Sequence, residues 1–160
     1  HLVLSTLHTT TAPGSIIRLV NMGIEPFLIT SSIVLVAAQR LARRICPNCK
    51  EEYKLPRSVF EGCRIDKGGN KITLYRGKGC RHCFNTGYKG RIGLMEALAL
   101  TPKVRELIVN KAQEYPVKEA ARIEGMATLR ENGLKKAMAG ITTWEEVIRL
   151  TAGDQDVGTM

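Results

Sequence analysis

The chain opens on a continuous apolar run. Leu2, Val3 and Leu4 give way to Ser5-Thr6-Leu7-His8-Thr9, a pattern that predicts a buried strand of parallel-sheet type whose polar end emerges from the sheet. Thr11 or Ala12 then precedes Pro13, which suits a first helical turn, and Ile16, Ile17, Leu19 and Val20 form an apolar face that stops near Gly23. Strand, polar turn and helix make half of an α/β unit. Glu25-Pro26 starts a second short helix through Phe27, Leu28 and Ile29. From Val34 to Ile45, the residues Leu35, Ala37, Gln39, Leu41, Arg43 and Ile45 alternate with Val36, Ala38, Arg40, Ala42 and Arg44. The arginines favour a strand with one wet side near its end, with a helix as the competing reading.

Between Lys50 and Gly79 the sequence is polar and Gly-rich without sustained periodicity, apart from a short strand expected at Ile72 to Tyr75. A stretch of that length without structure of its own needs an anchor. Apolar character returns from Arg91 to Leu98, as in a strand rejoining a sheet. The last third is helical in pattern. Thr101-Pro102 opens a helix with Val104, Leu107 and Ile108 on one face, and Pro116 or the residue before it starts the next, with Val117, Ala120, Ala121 and Ile123. Thr128 with Glu131 and Thr143 with Glu146 fit capping boxes, Gly140 and Gly153 fit stops, and residues from Asp154 onward read as a frayed tail.

At 160 residues and 44% hydrophobic content the chain is long enough for one core of ordinary size. The longest apolar stretch, Ile33–Ala38, is about a third of the roughly 20 residues a helix needs to cross a bilayer, and no charged n-region precedes an apolar segment, so the chain reads as soluble and without a secretory signal. Beginning at His1 in mid-strand, it reads as a piece of a longer protein. The net charge of +9 is concentrated: residues 40 to 91 hold 14 Lys and Arg against 4 Asp and Glu, whereas the remainder holds 10 against 11. A solvated face, an acidic partner surface and a phosphate contact are the competing uses of that excess.

The same basic segment carries the candidate chemistry. Cys46-Pro-Asn-Cys49 and Cys80-Arg-His-Cys83 are two C-x-x-C pairs separated by 30 residues. Each pair can form a knuckle that points two sulfurs at one ion, and two knuckles complete a tetrahedron of four thiolates, which predicts one structural zinc with no open position for a catalytic water. The surrounding Lys and Arg partly compensate the −2 charge of such a site. Disulfides fit poorly with the odd fifth cysteine, Cys63, and a thioredoxin-like pair explains only one C-x-x-C. An iron–sulfur cluster is the remaining alternative ligand use. His82, inside the second knuckle, reads as a surface residue and Cys63 as a stray thiol.

The residues also carry a resemblance. His1-Leu-Val-Leu-Ser-Thr-Leu-His8-Thr, Arg18-Leu, Met22-Gly-Ile-Glu-Pro-Phe27, Ala38-Gln-Arg-Leu41, Cys46-Pro-Asn-Cys49 and Gly87-Tyr-Lys-Gly-Arg-Ile-Gly93 followed by Glu96 occur in an order that resembles the type II secretion and type IV pilus assembly ATPases. The resemblance implies a RecA-like P-loop ATPase domain, ATP and Mg in the parent protein, a homo-hexamer, and a cytoplasmic place at the inner-membrane face. It also implies work with the inner-membrane platform and cytoplasmic-domain proteins of a secretion or pilus machine, peripheral to the membrane and without nucleic acid. The stretch matching His1 to Thr11 is the family's histidine box, beside the nucleotide. His8 is thereby implied to position the γ-phosphate or attacking water and His1 to support it, although the residues alone read His8 as a turn residue. Thr10-Thr11 stands where many members show Asn-Asp or Asn-Thr. Gln39 and Arg40 match the family's Gln-Arg-Leu signature, with a catalytic role and a strand that meets a neighbouring subunit or helix as alternatives. Glu96 is expected to pair with the basic segment. Retraction ATPases of the family generally lack the two knuckles, so the resemblance favours assembly or secretion.

No G-x-x-x-x-G-K-[ST] occurs in the chain, and neither Lys67-Gly-Gly-Asn70 nor Gly77-Lys-Gly79 has a strand before it and a helix after it. The resemblance places Walker A and B upstream of His1, so the 160 residues are expected to be inactive alone. The expected organisation is an α/β fold: residues 1–45 as the C-terminal part of a RecA-like core, 46–83 as a four-cysteine zinc-binding insertion, 84–100 as a return strand, 101–153 as a C-terminal α-helical bundle and 154–160 as a disordered tail. On this division metal removal disorders residues 46–83 and spares the helical end. The alternative is a nucleic-acid-binding or protein-docking zinc module, against which stands the lack of a stacking pattern around Tyr53, Phe60, Tyr75, Phe84 and Tyr88.

Overall fold

The computed structural model describes residues 1–60, 63, 64 and 69–152. Lys67-Gly68, the Gly153 stop and the tail 154–160 lie outside the described residues. The fold is mixed α/β with two small sheets. In order, the elements are α1 (Ala12–Asn21), α2 (Pro26–Ser32), β1 (Leu35–Ile45), β2 (Lys50–Pro56), β3 (Lys71–Gly77), β4 (Tyr88–Ala99), α3 (Pro102–Val109), α4 (Glu114–Ile123), α5 (Leu129–Met138) and α6 (Trp144–Leu150). β1 pairs with β4, and β2 pairs antiparallel with β3 from Lys50↔Gly77 to Pro56↔Lys71.

Two compact units result, and they cut across the segments expected from the sequence. One comprises His1–Ala38 with Met95–Thr128, the other Gln39–Leu94 with the chain from Leu129 on. In the first unit α1 packs on α2 and α4, and α3 on α2 and α4. Its core holds Ile16, Ile29, Leu98, Val104, Ile108 and Val117. Pro13 and Pro26 both stand in first turns, where a missing N–H costs nothing, and the Thr11 hydroxyl caps α1 by accepting from Gly14 N–H at 3.0 Å. α4 starts at Glu114, ahead of Pro116, and Ile123 lies off its buried face at 80% exposure.

The apolar opening departs from expectation. Residues 1–9 adopt no regular structure, and Leu2, Val3 and Leu4 are almost fully exposed. A strand exists only through a pairing partner. Among the described residues the ladders are β1–β4 and β2–β3, and neither includes this run.

The second unit corrects the expectation of a poorly structured 50–79. β2 and β3 form a regular ribbon, and α5 and α6 pack together, with α5 also against β3. β2 escaped notice because Lys50-Glu-Glu-Tyr-Lys-Leu-Pro56 has only Tyr53 and Leu55 as apolar residues of period two. Ile72, Leu74, Leu94, Leu134, Val147 and Phe60 fill this core, with Phe60 tilted against Trp144 at 5.0 Å between ring centroids. Thr143 caps α6 by accepting from Glu146 N–H at 3.2 Å, but the Glu146 carboxylate does not close the box. It turns instead to Arg43 and Arg149, both at 2.7 Å. Glu131 accepts the Arg64 backbone N–H at 3.4 Å.

Candidate metal centre

The four cysteines lie on two short 3-10 turns of the second unit. Pro47–Cys49 carries the first pair at the end of β1, and Arg81–Cys83 the second ahead of β4. Each pair is folded by the knuckle's own backbone: Cys49 N–H reaches the Cys46 carbonyl at 3.4 Å and Cys83 N–H the Cys80 carbonyl at 3.1 Å. The knuckles are drawn together where Cys46 N–H donates to the Gly87 carbonyl at 2.9 Å and Lys78 N–H to the Cys49 carbonyl at 3.0 Å. Gly77 and Gly87 make this crossing possible. A Cβ on Gly77 would come within 2.7 Å of Gly87 Cα, and Gly87 itself has φ +77°.

All four sulfurs lie within 4.8 Å of one another. Cys46 and Cys80 are 3.9 Å apart, Cys49 and Cys83 3.9 Å, and Cys80 and Cys83 3.7 Å. A disulfide would require about 2.05 Å, and none of the five cysteines forms one. A tetrahedral ion with metal–sulfur bonds of about 2.3 Å requires sulfur–sulfur edges of about 3.8 Å. The donor set therefore fits a single metal ion. An iron–sulfur core, which gives each thiolate a separate site on a larger body, would spread the sulfurs further.

Local donors prepare the thiolates. Cys83 Sγ accepts N–H from Cys80 at 3.2 Å and from Gly87 at 3.3 Å. Burial opposes its ionisation, but these bonds and the neighbouring thiols outweigh it and bring the group down to about 6. Cys49 is pushed up to about 12, by burial first and then by the adjacent sulfurs, against a backbone bond from Gly79. Cys63 stands outside the cluster, its N–H on the Phe60 carbonyl at 3.1 Å, and His82 is exposed.

Much of the basic excess is spent locally. Glu51 pairs with Arg76 at 2.7 Å and Lys78 at 2.9 Å, which lowers its carboxyl below the usual range. Arg43 lies 4.1 Å over the Tyr88 ring, Lys50 4.4 Å over Tyr75 and Arg76 5.6 Å over Tyr53. A cation thus lies over one face of each of these three tyrosines.

The remaining sequence candidates do not belong to the cysteine cluster. His1 and His8 are exposed in the first unit, and the His8 carbonyl accepts from Arg18 Nη1 at 3.2 Å. Gln39 is exposed and Arg40 half-buried on β1, with Arg40 Nη1 on the Gln39 carbonyl at 2.9 Å. Glu96 lies on β4. Fully buried in the first unit, it accepts Ala12 N–H at 2.8 Å. The burial of Glu96 and Glu146 is a feature that periodicity does not reveal, since local pattern does not separate a buried acid from a surface one. Among the described residues no helix is long and apolar enough to cross a membrane.

Residues 1–149 match the family model described as type II/IV secretion system protein. The chain is similar to the type IV pilus assembly ATPase PilB of Myxococcus xanthus, at 49% identity over 160 residues, covering 97% of this chain and 28% of that protein. It is also similar to the type II secretion system protein E of Pseudomonas aeruginosa, at 45% identity over 151 residues (94% and 30%). A third relative is the type II secretion system ATPase E of Vibrio cholerae, at 46% over 154 residues (94% and 30%). The chain spans less than a third of the length of these relatives. With nearly every residue inside the matched region, the chain belongs to the type II/IV secretion system protein family.

Proposed function

We propose that this chain is the C-terminal portion of a cytoplasmic, hexameric ATPase that powers pilin or pseudopilin assembly in type IV pilus biogenesis or type II secretion. The observation that carries the reading is the family match over residues 1–149, joined by relatives named as ATPases of both machines. In that longer protein a RecA-like domain holds ATP and Mg through Walker elements outside these residues. His8, with His1 in support, positions the γ-phosphate or attacking water. Gln39 and Arg40 serve either that site or a contact with a neighbouring subunit or helix.

Cys46, Cys49, Cys80 and Cys83 hold one zinc ion. Four thiolates with edges of 3.7 to 3.9 Å suit a closed tetrahedral ion, whose chemistry is to cross-link two knuckles rather than to activate water. The basic surface around it then serves protein contacts of the machine rather than nucleic acid.

Steady-state ATP hydrolysis tests the reading. The purified 160 residues should show no turnover, and the longer protein should turn over ATP and lose it on His8→Ala. Turnover by the isolated chain, or an indifferent His8→Ala, would overturn the assignment.

A further inference from the structure

The Glu96 side chain is fully buried on β4, and its Oε1 accepts the N–H of Ala12, the first residue of α1, at 2.8 Å. A buried carboxylate is costly unless its bonds are good. The start of α1 is an electrostatically suitable place for one, because its first N–H groups have no intrahelical partner. Yet the helix is already capped by Thr11 Oγ1, on Gly14 N–H at 3.0 Å. A second carboxylate reaches the same end: Glu114, half-buried in the first turn of α4, accepts the Thr11 hydroxyl at 2.5 Å. Stabilising one ten-residue helix does not call for two acids from two other elements.

What the acids also hold is the irregular segment ahead of α1. The Thr9 hydroxyl meets the Ser15 hydroxyl at 2.5 Å and the Thr11 carbonyl at 3.3 Å, and Arg18 donates to the His8 carbonyl at 3.2 Å. Residues 8–11 are laced to α1, and the start of α1 is bonded to β4 and α4. All these groups lie within one compact unit.

We propose that Glu96 and Glu114 are positioning residues for His8, acting through Ala12 N–H and the Thr11 hydroxyl to fix the start of α1 and with it the backbone of His8–Thr11. The proposal rests on the reading that His8 acts on the nucleotide in the longer ATPase. A displacement of the order of 1 Å at such a group can cost tenfold or more in rate.

The test is ATP turnover of the longer ATPase carrying His8→Ala, Glu96→Leu, Glu96→Gln, Glu114→Ala, and each acid variant combined with His8→Ala. Glu96→Leu should lower kcat about tenfold with KM changed less than about twofold, and Glu96→Gln, which keeps a carbonyl acceptor for Ala12 N–H, should restore it to within about threefold. Glu114→Ala, at a half-buried site that tolerates truncation, should lower kcat about threefold to fivefold even if Glu96→Leu does not fold. In the His8→Ala background neither acid variant should lower kcat further. Full kcat in Glu114→Ala, or losses that multiply with that of His8→Ala, would overturn the positioning role. A His8→Ala protein with unchanged kcat would instead overturn the reading of His8 beneath it.

Discussion

Glu146, buried on α6, receives the Arg43 guanidinium from β1 at 2.7 Å, and Arg149 completes the pair from the other side at 2.7 Å. Arg43 backbone N–H adds a further bond at 3.2 Å, and the Thr142 hydroxyl donates to the Arg43 carbonyl at 2.8 Å. One buried carboxylate thus joins the strand that leads into the first cysteine knuckle to the last helix of the same unit.

This joint has a pH signature. Burial would raise the Glu146 carboxyl, but the bonds from Arg149 and Arg43 outweigh it and bring it to about 2. With the folded value depressed, the stabilisation is present above the ordinary carboxylate range and is lost as pH falls from about 4.5 toward 2. Glu146→Ala should cost roughly 2 kcal/mol at pH 7, less than the about 3–5 kcal/mol of a broken pair buried on both sides, because both arginines are half exposed and regain water. Urea unfolding should show the wild-type advantage over Glu146→Gln shrinking between pH 4.5 and pH 3. A difference that stays constant across that range would contradict the joint.

The knuckle crossing should be intolerant of side chains. Gly77→Ala puts a methyl against the Gly87 backbone, and Gly87→Ala adds strain at φ +77°. Each should weaken metal binding at least about tenfold in a chelator competition, since both move one cysteine pair against the other. Unchanged affinity in both would show that the crossing does not set the site.

Phe84 offers a change in the opposite direction. It is 89% exposed and left-handed, with φ 51° and ψ 43°. A bulky residue is strained there, whereas Asn tolerates the conformation. Phe84→Asn should raise stability by about 0.5 kcal/mol in thermal unfolding of the metal-loaded protein. A loss above about 1 kcal/mol would mean that Phe84 packs against something.

Metal removal should reach beyond the cysteine segment. From the sequence alone the helical end looked independent, but α5 packs on β3 and on α6, and Leu134 and Val147 share the core with Leu74. Hydrogen exchange after chelation should show loss of protection in β2, β3, α5 and α6 together, with α3 and α4 retaining theirs. Loss confined to residues 46–83 would contradict this grouping.

The difference between reading and structure has a physical origin. The clustering of the four cysteines was legible because two C-x-x-C pairs encode their own knuckles, and α1, α2 and α3 were legible because Pro13, Pro26 and Pro102 announce first turns. β1 showed in its alternation. The partners of Glu96 and Glu146 were not legible, since a bond across 84 or 103 residues leaves no local pattern. The opening strand was over-read for the converse reason: Leu2-Val3-Leu4 has strand composition, but composition supplies no partner.

Metal content measures most directly whether the four thiolates hold one zinc ion. Inductively coupled plasma mass spectrometry on the protein purified without added metal should give one zinc per chain. Substituting Ser at any one of Cys46, Cys49, Cys80 or Cys83 should lower that ratio, and Cys63→Ser should leave it at one. A wild-type protein without zinc, or one whose zinc survives loss of two of the four cysteines, would contradict the account.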